Sequence, residues 1–426
     1  MKRLFLILVG FSASAQPEPL TVEVSKEVSD QEIRVDQVNS SDQLKKPYLI
    51  LISLDGFRYD YAERYGAKNL LAFDAKAESM VSSFPTKTFP NHYTIVTGLY
   101  PGHHGLVSNG FYDRDLETVY SIRNRTVVED GRFYGGVPIW VLAAKQKMVS
   151  ASMFWVGSEA RIQGETPTYY FKYNGDIAHQ DRVNKVVQWL QLPPESRPHF
   201  ISLYFSIIDD IGHNFGPNSP EIAKAVKDID EVIGDLMAKM ERLDLPVNII
   251  VVSDHGMLEV DVENPIYNED LFPDDMNITT SFPLMVYSDD PLRIDSLYKA
   301  LKVDTSKYSV YRKGHFPDRY HYDQNSERIG DLILQPRPPY NFGHRVVPFG
   351  RRTVLTKPGS STHGYDPAEC PEMGAIFYAK GPAFKSLEIK AFENIHVYPL
   401  MAEILGLEYD KRSIDGDLRV LEPILK

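Results

Sequence analysis

The fold is decided by the stretch YLILISLDG, which spans Tyr48 to Gly56. Its first seven residues are mainly apolar and lack the polar alternation of a half-exposed strand, which is typical of a strand buried on both faces. Similar runs occur at Phe200–Ser206, Asn248–Ser253 and Ala375–Ala379. Strands buried on both faces are usually parallel, because helices cover both sides of the sheet. The sequence therefore predicts four parallel strands.

Helical segments lie between these strands. The clearest one begins with Ser219, a favoured N-cap residue, followed by Pro220 at the first helical position. Apolar side chains then recur along one helix face; they are Ile222, Val226, Ile229, Ile233, Leu236 and Met240. Alternating strands and helices predict an α/β fold with a mainly parallel central sheet flanked by helices.

The chain divides into four parts. Met1–Ala15 has a basic start, an apolar run and small residues at its end, which predicts a secretory signal peptide. Residues 16–46 are polar and without periodicity, so we expect a flexible tether. Residues 47–426 form one folded domain, and about 258–345 form a smaller inserted lobe, because this stretch has its own strand candidates and separates two groups of candidate site residues.

Composition limits the setting and the partners. The chain has one cysteine, Cys370, in 426 residues, whereas exported proteins of animals usually carry disulfides. A bacterial periplasmic or secreted location is therefore favoured. The net charge of −12 disfavours binding of long nucleic acid but not of small phosphate esters. No run after the signal peptide approaches the roughly 20 apolar residues of a membrane span.

Acidic and histidine residues follow three of the predicted strands, and ligands bind beyond the carboxyl ends of such strands. These residues are Asp55, Asp209, His213, Asp254 and His255. Any single aspartate here is explained by turn chemistry, but the set points to a site. Mixed Asp and His ligands favour zinc-like ions over magnesium or calcium. His363 lies in a Gly- and Ser-rich loop and, taken alone, has the pattern of a surface histidine.

A second unusual stretch runs from Ser83 to Thr94. Pro90 suits the first turn of a helix, which places Thr88 near the positive end of the helix dipole. Taken alone, this pattern favours a capping role for Thr88.

In their order along the chain, these motifs resemble the nucleotide pyrophosphatase/phosphodiesterase family of the alkaline phosphatase superfamily. The resemblance extends from about Tyr48 to Gly406 and implies an alkaline phosphatase-like fold in a bacterial member. The segments that carry it are Asp55–Arg58, Thr88–His92, Val96–Pro101, Asp209–Pro217, Ser253–Met257 and His363–Asp366.

The resemblance implies two zinc ions per chain. The first would be held by Asp209, His213 and His363. The second would be held by Asp55, Asp254 and His255, and Thr88 would complete it as the nucleophile.

The resemblance also implies residues that bind the substrate. Asn109 would hydrogen-bond a phosphoryl oxygen, and Phe89 and Tyr204 would sandwich a nucleobase. The family commonly has Glu-Glu-Pro before the aspartate of the first zinc site, where this chain has Ser206–Ile208, so the wall of the substrate cleft differs.

The implied activity is hydrolysis of phosphodiester or pyrophosphate bonds through a covalent phosphothreonine, with a nucleotide as the favoured small-molecule substrate. Two other classes stay open. One is a related enzyme acting on choline or lysophospholipid esters or on phosphomonoesters; the other is a non-catalytic binding protein. In the predicted lobe, Tyr320, His321 and Tyr322 are candidates to touch the leaving group, with aromatic packing as the alternative. The oligomeric state is left open.

Overall fold

The computed structural model describes residues 20–279, 282–322, 326–345 and 358–426. The predicted signal peptide lies outside these ranges. In chain order, the strands are β1 Ile33–Arg34, β2 Tyr48–Leu54, β3 Ala75–Ala77, β4 Met80–Val81, β5 Gly110–Asp113, β6 Thr118–Ser121, β7 Ser150–Met153, β8 Tyr169–Tyr170, β9 Phe200–Phe205, β10 Val247–Val252, β11 Leu258–Glu259, β12 Ile266–Tyr267, β13 Asn277–Ile278, β14 Leu284–Tyr287, β15 Tyr308–Arg312, β16 Leu332–Pro336, β17 Phe342–Gly343, β18 Ser361–Thr362, β19 Phe377–Lys380, β20 Leu387–Ile389 and β21 Phe392–Glu393. The helices are α1 Lys26–Ser29, α2 Tyr61–Tyr65, α3 Lys68–Leu71, α4 Thr88–Thr97, α5 Pro101–His104, α6 Arg125–Val128, α7 Ile139–Lys145, α8 His179–Leu190, α9 Ile207–Phe215, α10 Pro220–Arg242, α11 Asn268–Leu271, α12 Pro291–Leu301 and α13 Val397–Leu405.

A nine-stranded sheet forms the centre of the fold, in the order β1-β8-β7-β9-β2-β10-β19-β3-β20. The five strands from β8 to β10 run parallel to one another. Every residue of β2 and β10 is buried, because helices cover both faces of the sheet. The predicted α/β class with a mainly parallel sheet is therefore confirmed.

The direction of one predicted strand is wrong. The run at residues 375–379 becomes β19, which pairs antiparallel with both β10 and β3. An apolar run indicates burial on both faces of a sheet, and the pattern is the same in a parallel and in an antiparallel strand.

The predicted tether also differs from the structure over residues 20–46. In this segment β1 pairs with β8, and Leu20 and Val28 are buried in the core. The Asn39 side-chain amide donates to the carbonyls of Pro194 and Arg197 at 2.9 and 2.7 Å. The polar composition of the segment gave no sign of these few contacts, because their partners lie far away in the sequence.

Helix α10 agrees with its sequence pattern. The Ile222 backbone N–H donates to Ser219 Oγ at 3.1 Å, so Ser219 is the N-cap. The predicted apolar face is buried along its whole length. This helix fixes the position of α9, which packs against it directly upstream in the chain.

The carboxyl ends of β2, β9 and β10 meet at one edge of the sheet. Asp55 follows β2, Asp254 and His255 follow β10, and α9 carries Asp209 and His213 just beyond β9. The parallel register of the three strands brings these side chains together.

A second, four-stranded sheet has the order β13-β14-β16-β15. The chain leaves for this sheet after β11 and returns at β18, and the two strands pair so that Leu258 is opposite Thr362. This pairing returns His363 to the vicinity of His255, although about a hundred residues separate them. No helix within the described ranges is long and apolar enough to cross a membrane.

Candidate active site

Two groups of ligand atoms lie at the carboxyl edge of the central sheet. Asp55, Asp254 and His255 offer atoms that all lie within 4.8 Å of one another, and Asp209, His255 and His363 do the same. His255 belongs to both groups, so the two groups are adjacent. His213 completes the predicted set, with its Nε2 at 3.4 Å from Asp209 Oδ1.

The three histidines are oriented in the same way. Nδ1 lies 2.9 Å from the Ser361 carbonyl in His213, 3.0 Å from the Gly256 carbonyl in His255 and 2.8 Å from the Thr86 carbonyl in His363. A carbonyl only accepts hydrogen bonds, so each Nδ1 carries a proton, and in the neutral imidazole each Nε2 presents a lone pair. These are the second-sphere contacts that orient metal-binding imidazoles.

The Nε2 atoms face carboxylate oxygens. His255 Nε2 lies 2.9 Å from Asp254 Oδ2 and 3.7 Å from Asp55 Oδ1, and His363 Nε2 lies 3.8 Å from Asp209 Oδ1. Each of these three carboxylate oxygens is buried and has no hydrogen-bond donor among the described residues. Facing nitrogen and carboxylate atoms in a buried place need a proton or a metal ion between them, and zinc is a metal that this donor set suits.

The pKa shifts have the same origin. Burial, and then the charges of Asp254 and Asp209, raise the pKa of Asp55 well above its usual range. Burial also acts on Asp254, but His255 and His92 outweigh it and lower the pKa of this carboxyl. Burial, followed by the charge of His255, lowers the pKa of His363 and keeps its imidazole neutral, which is the form that binds metal.

The Thr88 hydroxyl lies against the site. Its Oγ1 is 3.3 Å from His255 Nε2. Thr88 is the first residue of α4, and the N-cap position is taken by Lys87, which makes no side-chain capping bond. The capping role favoured by the local pattern is therefore wrong.

The loop before Thr88 is pinned by Asn91. Its side-chain amide donates to the carbonyls of Ser83, Pro85 and Lys87 at 3.2, 2.9 and 3.0 Å. Asn91 belongs to α4, so the helix that begins at Thr88 also fixes the backbone that leads into it.

The same loop is joined to the His363 loop. Thr86 Oγ1 donates to the Tyr365 carbonyl and accepts from the Gly364 N–H, both at 2.9 Å. Lys87 Nζ donates to the His363 carbonyl at 2.5 Å and lies 4.1 Å from the centre of the Phe282 ring. Burial lowers the pKa of Lys87 to about 7. The candidate nucleophile and a candidate ligand are thus held by one set of contacts.

Asn109 lies beside the start of α4. Its Oδ1 accepts a hydrogen bond from the Phe89 backbone N–H at 3.0 Å. This bond fixes Asn109 beside the residue that follows Thr88, and its contact with a phosphoryl oxygen stays a prediction.

Tyr204 makes a contact that the sequence did not predict. Its hydroxyl donates to Asp55 Oδ2 at 2.6 Å, and its ring packs edge-on against His92 with 5.3 Å between ring centres. Tyr204 thereby positions a candidate metal ligand.

Sequence reasoning missed Tyr173, a residue that is 43% exposed and whose ring lies edge-on to Tyr204 at 6.0 Å. The aromatic run from Tyr169 to Tyr173 at the end of β8 was its only signal.

The aromatic residues of the predicted lobe pack against other parts of the protein. The Tyr320 ring stacks on Phe84 with 3.6 Å between centres, and the Tyr322 hydroxyl donates to the Val107 carbonyl. His321 stacks on Tyr100. These contacts favour the packing alternative over contact with a leaving group.

Residues 49–366 match the family described as type I phosphodiesterase / nucleotide pyrophosphatase. The chain belongs to this family. Human ectonucleotide pyrophosphatase/phosphodiesterase family member 1 is 36% identical over 379 residues, covering 85% of this chain and 40% of that protein. Venom phosphodiesterase 2 of Crotalus adamanteus is 37% identical over 380 residues, covering 84% of this chain and 45% of that protein.

This family member thus spans less than half the length of those two relatives. A pyrophosphatase/phosphodiesterase of Schizosaccharomyces pombe is 34% identical over 391 residues and is covered over 79% of its length. These relatives are eukaryotic, so the bacterial origin stays a prediction.

The solved structure of murine ectonucleotide pyrophosphatase/phosphodiesterase 5, an inactive form in complex with AMP, superimposes with a TM-score of 0.82. It is 27% identical and covers 89% of this family member, and the whole of that chain is covered. The alkaline phosphatase-like fold is thereby confirmed.

The bonds between Thr86 and the His363 loop yield a test of stability. Thr86→Val keeps the shape of the side chain but leaves the Gly364 N–H and the Tyr365 carbonyl buried without a partner, so we expect the free energy of unfolding to fall by about 2 kcal/mol. Urea denaturation of chelator-treated protein measures this free energy of unfolding. Thr118→Val is the control, because Thr118 is half-buried and water replaces its one bond. Equal losses of stability in the two variants would contradict the role of Thr86 in joining the two loops.

Proposed function

We propose that this chain is a two-zinc hydrolase that cleaves phosphodiester and pyrophosphate bonds of nucleotides through a covalent phosphothreonine. One observation carries the proposal: three oriented Nε2 atoms and three buried carboxylate oxygens without donors converge beside the Thr88 hydroxyl.

In this proposal, each ion has three protein ligands. The first is held by Asp209, His213 and His363, and the second by Asp55, Asp254 and His255. When bound, the paired ions would lower the pKa of the attacking hydroxyl and stabilise charge on the entering and leaving oxygens.

Thr88 supplies the nucleophile. Its Oγ1 forms a bond to phosphorus as the bond to the leaving oxygen breaks, and the product is a phosphothreonine diester. Water then attacks phosphorus and restores the threonine hydroxyl. The Phe89 N–H donates to Asn109 Oδ1 and so orients this side chain, whose Nδ2 would meet charge on a non-bridging oxygen.

The nucleotide preference is supported by the family and by two aromatic rings. The murine relative binds AMP, and the relatives above are named pyrophosphatases or phosphodiesterases. Phe89 follows the nucleophile and is only partly buried. We assign the second stacking surface to the exposed Tyr173, because the hydroxyl of Tyr204 is engaged by Asp55.

A second candidate is a lipid or choline ester. Helix α9, which carries Asp209 and His213, also carries the partly exposed Ile207 and Ile211 and ends at Phe215, which is 48% exposed. Apolar side chains beside the metal ligands would suit an acyl or glyceryl leaving group.

Export from a bacterial cell is a further part of the proposal. It is supported by the signal-like pattern of Met1–Ala15 and by Cys370 being the only cysteine of the chain.

Metal content is the first test. Chelation should abolish hydrolysis, zinc should restore it, and elemental analysis should find two zinc ions per chain. Asp209→Asn should lose one ion, because its Oδ1 faces two imidazoles. Asp210→Asn is the matched control, because Asp210 is exposed and accepts a hydrogen bond from Ser206 Oγ instead of facing the imidazoles. Active protein without a transition metal would refute the proposal.

The second test concerns the nucleophile. Thr88→Ala should lower kcat by at least about a thousandfold while zinc content is kept, and Thr88→Ser should retain part of the rate because it keeps the hydroxyl. Thr97→Val, which changes a hydroxyl in the same helix bonded to Tyr93, is the control. Near wild-type rates in the Ala variant would exclude Thr88 as the nucleophile.

The third test concerns the base. Phe89→Ala and Tyr173→Ala should each raise KM for p-nitrophenyl thymidine monophosphate by about tenfold, because stacking contributes about 1–3 kcal/mol per base. Methyl p-nitrophenyl phosphate has the same leaving group and no base, so its KM should change little. Tyr59→Ala, at a tyrosine that is 38% exposed, is the control. Equal effects on both esters would favour the lipid or choline reading.

A further inference from the structure

Arg182 is buried in an unusual way. It lies in the first turn of α8 and is 1% exposed. Burial lowers the pKa of its guanidinium, and its three nitrogens donate to backbone carbonyls: Nε to Ile177 at 2.9 Å, Nη1 to Tyr204 at 2.9 Å and Nη2 to Gly175 at 3.0 Å. No carboxylate within the described ranges forms an ion pair with it. A buried cation without a counter-ion is costly, so these three bonds must be kept.

The three carbonyls belong to two separate segments. Tyr204 is at the end of β9, whereas Gly175 and Ile177 are in the loop between β8 and α8. One planar guanidinium therefore holds the loop at a fixed distance from the strand end. A lysine has a single nitrogen and cannot reach all three acceptors in this geometry.

The segments that Arg182 joins carry the two tyrosines of the site. Tyr173 lies in this loop, and its ring lies edge-on to Phe154 at 5.2 Å and to Tyr204 at 6.0 Å. The guanidinium lies 5.1 Å from the centre of the Phe154 ring. Arg182 thus touches the backbone of one tyrosine and the ring that supports the other.

We propose that Arg182 is a positioning residue for substrate selection, which holds the Tyr173 ring in place to receive a nucleobase. The inference rests on the proposed nucleotide function and adds a determinant to it. Arg182 itself touches no substrate. It acts by fixing the loop of residues 174–177 against Tyr204, so its loss should loosen the stacking surface before it disturbs the phosphate chemistry.

The test compares two esters with a common leaving group. Arg182→Lys should raise KM for p-nitrophenyl thymidine monophosphate by about tenfold, the size of one lost stacking contact. The kcat on this ester and both constants on methyl p-nitrophenyl phosphate should stay within about threefold, and zinc content should be unchanged. Equal effects on the two esters would overturn the inference. So would a fall in kcat without a rise in KM, or a loss of activity that only follows the loss of folded protein.

Arg328→Lys is the matched control. Arg328 also donates to three backbone carbonyls, those of Gly105, Phe133 and Arg132. Unlike Arg182 it also pairs with a carboxylate, Asp113, and it joins elements that carry none of the proposed stacking residues. It should lower the melting temperature without any preference between the esters. The same KM preference in Arg328→Lys would show that loosening the fold anywhere gives this result, and would overturn the inference.

A second variant keeps the test decisive if Arg182→Lys does not fold. Phe154→Leu removes the ring between Arg182 and Tyr173 and leaves every carbonyl satisfied, so it should give the same selective rise in KM. Tyr173→Ala separates the two proposals. A selective effect in Tyr173→Ala with none in Arg182→Lys or Phe154→Leu would refute the role of Arg182 and leave the proposed function standing. No selective effect in Tyr173→Ala would refute the base-binding surface, and the role of Arg182 with it.

Discussion

The mutual repulsion of three carboxylates, each with a buried oxygen, is the constraint on which the rest of the site depends. Asp55, Asp209 and Asp254 each direct an oxygen without a donor into one small volume. Charges removed from water cost several kcal/mol each unless an opposite charge compensates them. The fold must therefore hold these groups together by bonds elsewhere, and a pair of bound cations would convert their repulsion into binding free energy.

Glycine and backbone contacts make this crowding possible. Gly56 has a φ of +68°, and a Cβ on it would lie 2.9 Å from Asp209 Cα. Its N–H donates to Asp254 Oδ1 at 3.1 Å, so the turn after β2 both approaches one aspartate and fixes another. No residue with a side chain fits at this position, because both the φ angle and the contact exclude it. The Asp-Gly dipeptide that reads as ordinary turn chemistry is here a requirement of the site.

The sequence predicted what depends on local pattern. Buried runs marked β2, β9 and β10, the N-cap and apolar face marked α10, and the strand ends marked five of the candidate ligands. It could not show the direction of β19 or the packing of residues 20–46, because both depend on partners distant in the chain. His363 was uninformative by itself for the same reason: only the pairing of β11 with β18 brings it to His255. The proposed assignment of base stacking to Tyr173 in place of Tyr204 rests on the direction of the Tyr204 hydroxyl, which no periodicity records.

The two sides of the site are built from different kinds of contact. On the nucleophile side, Thr86 and Lys87 are joined to the His363 loop by hydrogen bonds of 2.5–2.9 Å, whose strength falls steeply with distance and angle. On the other side, Tyr173 meets Tyr204 and Phe154 only through ring edges, and such contacts tolerate small displacements. Tyr204 joins the two sides, because its ring belongs to the aromatic group and its hydroxyl to Asp55. Rigid geometry around phosphorus combined with an adaptable aromatic surface is the arrangement expected of an enzyme that is strict about the bond it cleaves and tolerant of the base attached to it.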